Sequence, residues 1–252
     1  MNELFDIREK KAIVTGGSRG LGREMAKTLY QAGAQVTITG TNDRIFSAAE
    51  ELSGKDGKVY AVKADFQNAD AVERAFYQAI DHMGSVDILV NNAGMQIRHK
   101  SEDFPLRDWD RILMVNLTAP FILCQLAGKE MLKKGRGKII NTASLLSFSG
   151  GYTVPAYAAS KGGIAQLTKA LSNEWAQRGI NVNAIAPGYM DTDNIAAIKA
   201  DPVRNGQILE RVPAGRYGTP GDLSGALIFL ASKASDYVNG TILTVDGGWM
   251  GR

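Results

Sequence analysis

Lys11-Ala-Ile-Val-Thr15-Gly16-Gly-Ser-Arg-Gly20-Leu-Gly22 is a short apolar run that opens at once into a glycine-rich turn. Beyond it Met25, Ala26, Leu29 and Tyr30 recur at helical spacing, and Gly33 ends the stripe. Strand, glycine-rich turn and helix is the arrangement in which backbone N–H groups reach a phosphate. The spacing here, Gly16-x-x-x-Gly20-x-Gly22, is wider than the usual Gly-x-Gly-x-x-Gly. Tight turns also use glycine, so the segment takes its meaning from its place between the first strand and the first helix.

The same alternation continues along the chain. Apolar runs at 35–39, 59–62, 86–90, 137–141, 180–186 and 241–245 predict six more strands. Helical patterns at 42–52, 69–83, 108–134, 162–178 and 222–232 separate them. Strands alternating with helices predict a parallel sheet with right-handed crossovers. The expected fold is therefore α/β, a doubly wound (Rossmann) seven-stranded parallel sheet with helices on both faces, as a single domain over 1–252. Pro120 lies inside the fourth helical pattern and predicts a kink or break just after Asn116. The stretch 189–213 has helical patches of mixed polarity and is expected to form a mobile substrate lid. Two strands end in small polar residues, one in Asn91-Asn92-Ala93-Gly94 and one in Thr142-Ala-Ser144. Ligands of open α/β sheets bind at that edge.

Composition bounds what the fold can do. With 44% hydrophobic and 22% charged residues the chain can bury a large core. A formal charge of +3, dispersed and without a dense Lys/Arg block, argues against nucleic acid. No apolar run is expected to reach the about 18 residues of a membrane span, and residues 1–11 lack a signal-peptide core. The cytoplasm is the expected location. Cys124 is the sole cysteine, so no internal disulfide is possible, and its neighbours Phe121, Ile122 and Leu123 predict a buried structural thiol. His82 and His99 are far apart in sequence, and no metal site is expected.

Tyr157-Ala-Ala-Ser-Lys161 is where chemistry is expected. Positions i and i+4 share a helix face, so a phenol and an ammonium would enter one space. Tyrosine titrates near about 10, and a neighbouring ammonium favours the phenolate. A shift of about 3 units corresponds to roughly 4 kcal/mol, enough to make Tyr157 a usable proton donor and acceptor. The pattern also arises by accident on amphipathic helices, so the other motifs must decide its meaning.

Taken in order, Thr15-Gly16-x-x-x-Gly20-x-Gly22, Asp65, Asn91-Asn92-Ala93-Gly94, Asn116, Ser144, Tyr157-x-x-x-Lys161 and Pro187-Gly188 resemble the short-chain dehydrogenase/reductase family nearly end to end. The resemblance implies that Tyr157 exchanges a proton with the substrate oxygen and Ser144 polarises the carbonyl. It implies that Lys161 lowers the phenol's pKa and bonds the nicotinamide ribose, and that Asn116 anchors a water leading to solvent. Gly16, Ser18, Gly20, Leu21 and Gly22 would wrap the pyrophosphate, with Arg19 and Thr41 beside the adenosine ribose. Asp65 would face the adenine, and Asn92, Ala93 and Gly94 would support the pocket. Pro187, Gly188 and Thr192 would meet the carboxamide end. The resemblance also implies a homotetramer built on the long helices and the last strand. Trp249 and Met250 would then be buried at the interface or over a neighbouring site.

Within the family the likeness is to dehydrogenases of sugar acids of the deoxygluconate type, carried by residues 144–151, 186–190, 211–216, 234–240 and 246–249. A sugar-acid substrate needs a cation for its carboxylate, and Arg98 is the candidate, with Arg216 expected to brace the lid instead. A gluconate 5-dehydrogenase is a near alternative, a general carbonyl or 3-oxoacyl reductase shares the same catalytic set, and a non-catalytic nucleotide-binding scaffold is the alternative of another class. The cofactor is NADP(H) or NAD(H). No acid stands at Gly40-Thr41-Asn42, where a ribose-binding carboxylate would sit, and Arg19 could pair a 2′-phosphate. Those two residues favour NADP(H).

Overall fold

In the computed structural model, which describes residues 3–54 and 57–252, seven segments pair as strands. They are β1 (Lys11–Val14), β2 (Gln35–Gly40), β3 (Val59–Lys63), β4 (Ile88–Asn91), β5 (Gly137–Thr142), β6 (Ile180–Pro187) and β7 (Ile242–Val245). All pairings are parallel, in the order β3-β2-β1-β4-β5-β6-β7. The order reverses between β1 and β4, which opens a crevice at the C-terminal ends of those two strands. The expected fold class is the observed one.

The strands are apolar because both sheet faces are covered. Successive residues alternate between two cores. Ala12 and Val14 of β1, with Ile88 and Val90 of β4, face Met25, Leu29, Ile45, Leu227 and Leu230. These come from α1 (Gly20–Gln31), α2 (Arg44–Ser53) and α9 (Ser224–Ala231). Ile13 and Leu89 point the other way, toward Phe76, Leu123, Met131, Leu171 and Trp175. Those lie on α3 (Ala69–Met83), α5 (Ala119–Lys134) and α6 (Pro155–Trp175). Each fully buried Val, Leu, Ile, Phe or Met among them contributes about 1.5–3 kcal/mol.

The fourth helical pattern departs from expectation in one respect. α4 (Leu106–Leu113) and α5 are joined by a π-helical turn, Met114–Thr118, with no interruption of the backbone path. Pro120, in the first turn of α5, has no N–H to give. The pairing widens to i→i+5 instead of breaking. The whole run Leu106–Lys134 is long and apolar enough, by length and composition, to cross a membrane. Half of its most apolar window is buried within the fold, with Leu123, Cys124, Ala127 and Met131 in the core.

The stretch 189–213 folds its helical patches as regular elements. It holds a short 3₁₀ turn (Asp193–Ile195), α7 (Ala196–Lys199) and α8 (Pro202–Arg211). Asp201 caps α8, its carboxylate accepting from the N–H groups of Val203 and Arg204, both at 3.1 Å. Ile195, Ile198 and Ile208 make a small separate core with Tyr189, Tyr217 and Trp249. Trp249 packs against Tyr189 in this core.

Candidate active site

The glycine-rich turn lies in the crevice between β1 and β4. Gly16 has φ +69°, open to glycine and strained for other residues. A Cβ on Gly22 would strike the Gly16 carbonyl and the Asn92 amide, which keeps the turn and the first turn of α1 in backbone contact. Asn92 ties the turn to β4. Its side chain donates to the Thr15 carbonyl at 2.9 Å and to Gly16 O at 3.4 Å. The N–H groups of Asn92 and Ala93 donate to Thr15 Oγ1 at 2.9 and 2.8 Å. Arg19, at the N-cap of α1, adds no side-chain cap, and the first turn carries no acid. Free N–H groups and an uncompensated helix dipole meet here, the cradle a dinucleotide pyrophosphate requires. The residues present therefore fit a nicotinamide dinucleotide.

Tyr157 and Lys161 sit on the first two turns of α6, opposite Ser144 at the end of β5. Ser144 caps a 3₁₀ turn, accepting from Leu146 N–H at 3.2 Å. Ser147 completes that cap: its hydroxyl accepts from Ser144 N–H at 3.3 Å and donates to the Lys161 carbonyl at 2.7 Å. The seryl hydroxyl and the lysine helix are thus bolted together. Burial pushes the Tyr157 phenol up, and the Ser144 hydroxyl works in the opposite direction. Burial drives the Lys161 amine down to about 8.

The expectation that Lys161 lowers the phenol's pKa is corrected here. The ammonium donates to the Thr142 carbonyl at 2.6 Å and lies 5.6 Å from the centroid of the Tyr157 ring, over its face. One of its N–H groups is committed to a backbone oxygen, and burial sets the direction of the shift at both groups.

Asn116 lies in the π turn with its amide fully used. It accepts from Met95 N–H at 2.8 Å and donates to Met95 O at 2.9 Å and to Ser160 Oγ at 3.1 Å. Ser160 Oγ in turn donates to the Tyr157 carbonyl at 2.7 Å. Asn116 thereby joins the loop after β4 to the helix of Tyr157. Cys124 is fully buried, accepts from the Asn91 amide at 3.2 Å and has its thiol pushed up to about 12, an inert structural cysteine.

A cavity of about 450 Å³ opens at this edge. Leu21, Arg98, Ser144, Tyr157, Pro187, Gly188 and Thr192, all singled out in the sequence, line it. Gly16, Asn92 and Ala93 form the adjoining crevice. Thr41 and Asp65 follow β2 and β3, exposed and outside the cavity. Ser18 and Gly94 lie in the loops after β1 and β4. Asp43, the nearest acid after β2, is paired with Lys63 at 2.8 Å. Arg19 meets Asp193 of the 189–213 stretch at 2.8 Å, both largely exposed. Arg98 donates to Tyr152 O at 3.3 Å and Thr153 Oγ1 at 3.4 Å. Arg216 is held by Asp222 at 2.7 and 2.9 Å and does not line the cavity.

Sequence reasoning missed Arg204, Arg211 and Trp249 in the cavity wall. The two arginines are seven residues apart on one helix, a spacing that puts them on one face and could have been read. The cavity has three arginines and no carboxylate among its lining residues.

The fold, the glycine-rich cradle and the Ser144/Tyr157/Lys161 cluster define a dinucleotide-dependent oxidoreductase. The profile described as short chain dehydrogenase matches residues 10–202, and the chain belongs to that family, whose enzymes use NAD(P) and act on CH–OH groups. It is similar to the 2-dehydro-3-deoxy-D-gluconate 5-dehydrogenase of Bacillus subtilis (strain 168), 49% identical over 253 residues, covering 100% of this chain and 99% of that one. Among solved structures it is similar to a candidate 2-deoxy-D-gluconate 3-dehydrogenase from Agrobacterium tumefaciens with bound NADP. That match has a TM-score of 0.92 and 47% identity and covers 100% of both chains. It is also similar to a gluconate 5-dehydrogenase from Burkholderia cenocepacia J2315 in complex with NADP and tartrate, with TM-score 0.94, 37% identity and 99% and 98% coverage.

Proposed function

We propose that this protein transfers a hydride between NADP(H) and the ketone or secondary alcohol of a sugar acid of the 2-dehydro-3-deoxy-D-gluconate or 2-deoxy-D-gluconate type. The observation that carries it is the cavity itself, where Tyr157 and Ser144 share space with three arginines and no carboxylate. Such a lining favours an anionic substrate. The similar proteins named above act on gluconate derivatives, and two of the structures hold NADP.

Bound in the crevice, the nicotinamide supplies or accepts the hydride. Tyr157 gives its phenolic proton to the substrate oxygen in reduction and takes it back in oxidation. Ser144 donates a hydrogen bond to the same oxygen, a preorganised donor aimed at developing charge. Lys161 holds the nicotinamide ribose, and Asn116, through the backbone carbonyl of its π-helical turn, holds the water that returns the proton to solvent. Gly16, Ser18, Gly20, Leu21 and Gly22 surround the pyrophosphate. Arg19 pairs the 2′-phosphate, while Thr41 and Asp65 border the adenosine. Asn92, Ala93 and Gly94 form the floor. Pro187, Gly188 and Thr192 hold the carboxamide, beneath the lid at 189–213. Arg98 holds the substrate carboxylate from the fixed wall. The protein works as a homotetramer in the cytoplasm; a monomer mass by light scattering would remove the tetramer.

A screen of hexonates and keto-deoxy-hexonates, neutral ketones and 3-oxoacyl thioesters, each with both nicotinamide cofactors, tests the whole reading. Turnover is expected with the deoxy-keto sugar acids, faster with NADP(H). Preference for acyl thioesters would replace the substrate class, and rates with NAD(H) equal or better would remove the role of Arg19. The relative bound to NADP and tartrate supports gluconate 5-dehydrogenation as the second reading, and gluconate is in the same screen.

A further inference from the structure

The cavity has a second wall that proton and hydride transfer leave without a task. α8 carries Arg204, Ile208 and Arg211 at i, i+4 and i+7, one helix face. Ile208 is buried in the small core under the lid, and the two arginines flanking it line the cavity. Among the described residues, neither arginine has a side-chain hydrogen bond or an ion pair. Every other arginine at this edge has a partner: Arg98 has Tyr152 and Thr153, Arg216 has Asp222, and Arg19 has Asp193.

Arg211 is nevertheless held. Its guanidinium carbon lies 4.2 Å from the Trp249 ring centroid. Trp249 is itself wedged against Tyr189, centroid to centroid 4.9 Å. The chain that follows β7 fixes this end of α8. The Gly247 carbonyl accepts from Ala214 N–H at 3.0 Å, and Arg252 donates to the Glu210 carbonyl at 2.6 Å. Stacking occupies the flat face of a guanidinium and leaves its in-plane N–H fork for a ligand. A planar fork matches a carboxylate by two parallel hydrogen bonds. An oriented, unpaired guanidinium in a cavity without acids is prepared for an anion that arrives with the substrate.

We infer that Arg211, stacked on Trp249, is the lid-borne anchor for the substrate carboxylate, working across the cavity from the reacting oxygen. The inference rests on the sugar-acid reading above and adds a residue and a division of labour to it. The reacting end of the substrate is read by side chains fixed to the sheet edge and α6. Its charged end is read by Arg98 from the fixed wall and by Arg211 on α8, so a neutral ketone forgoes the lid contact while a sugar acid makes it. Trp249 is a positioning residue: it sets the plane of the fork.

The test uses the full-length protein loaded with NADP(H). Tartrate binding is followed by calorimetry, and Michaelis constants are measured for a sugar acid and for a neutral ketone. Arg211→Ala is expected to weaken tartrate binding and raise the sugar-acid constant by roughly 10–100-fold, the size of a lost charge-assisted pair. The neutral ketone should stay within about two-fold, because only the charged partner is lost. Arg211→Lys should recover only part of the loss, since an ammonium lacks the fork. Trp249→Phe should stay near wild type and Trp249→Leu should fall between, tracking the ring and not merely the bulk. Equal changes for acid and ketone, or undiminished tartrate binding in Arg211→Ala, overturn the inference. Wild-type protein that reduces ketones but no sugar acid sinks the substrate reading instead, and the tartrate titration then judges Arg211 alone.

Discussion

A phenol donates a proton only while it holds one, and burial makes Tyr157 hold it. Its pKa is raised above the ordinary value, so at neutral pH the side chain carries the proton that ketone reduction consumes. Oxidation needs the reverse, a phenolate to receive the alcohol proton. The sign follows: kcat/KM for oxidation should rise with pH through the alkaline range, and kcat/KM for reduction should stay level and then fall. Profiles measured in both directions check this, and an oxidation rate highest below neutrality would contradict it. Tyr157→Phe removes the proton but keeps the ring. Turnover should drop by roughly 10²–10⁴-fold, with the NADP(H) dissociation constant by fluorescence unchanged; retained turnover would take Tyr157 out of the mechanism. Arg98 differs from Arg211 in being already tethered to Tyr152 and Thr153. Arg98→Ala should raise the Michaelis constant for carboxylate substrates by roughly tenfold and leave neutral ketones alone. An equal rise for both would mean that Arg98 only shapes the loop.

Elements that bury apolar β-branched runs on both faces were plain in the chain, and all seven strands lie within two residues of their expected ends. Elements whose identity depends on small backbone adjustments were not. Pro120 signalled a break near Asn116, but a proline in the first turn of a helix can be absorbed by a wider turn, and the helical pairing continues through it. The 189–213 stretch read only as helical patches without bounds because its helices are short and half polar. Asp201-Pro202, an N-cap followed by an N1 proline, was a readable start for α8 that the hydrophobic pattern hid. The π turn has a consequence for stability. It aims Asn116 at Met95 and Ser160, and Asn116→Ala would orphan the half-buried backbone groups of Met95 and remove a partner from the buried Ser160 hydroxyl. A loss of about 1–3 kcal/mol is expected by denaturant unfolding, with a lower kcat because the β4 loop and the Tyr157 helix lose their common tie. A variant as stable as wild type would show that these bonds have easy substitutes.

At the scale of the molecule, the sheet order brings together residues that are far apart in the chain. Thr15, Asn92, Ser144 and Gly188 meet because parallel strands end on one side; that much followed from counting strands. The contact of Trp249 with Tyr189 and Arg211 did not, since it depends on how the chain after β7 folds back over α8. The same convergence forces an amine into the interior. Lys161 is buried at 4% exposure with its pKa pushed down to about 8 by that burial, against about 10.5 for an ordinary lysine. The sign can be worked out. Between those two values the unfolded chain binds the proton and the folded one does not, so stability rises with pH across that window. Below about 8 both states are protonated and the folded protein carries the full burden, about 3 kcal/mol from a difference of this size. Lys161→Met has no such burden at any pH, although it leaves the Thr142 carbonyl without its donor. That second effect does not titrate. The raised value of Tyr157 lowers stability above pH 10 in both proteins and largely cancels in their difference. Wild type should therefore gain on Lys161→Met by about 3 kcal/mol between pH 7 and pH 11, measured by urea unfolding at a series of pH values. A difference that stays constant with pH would mean that the amine remains fully charged inside the fold.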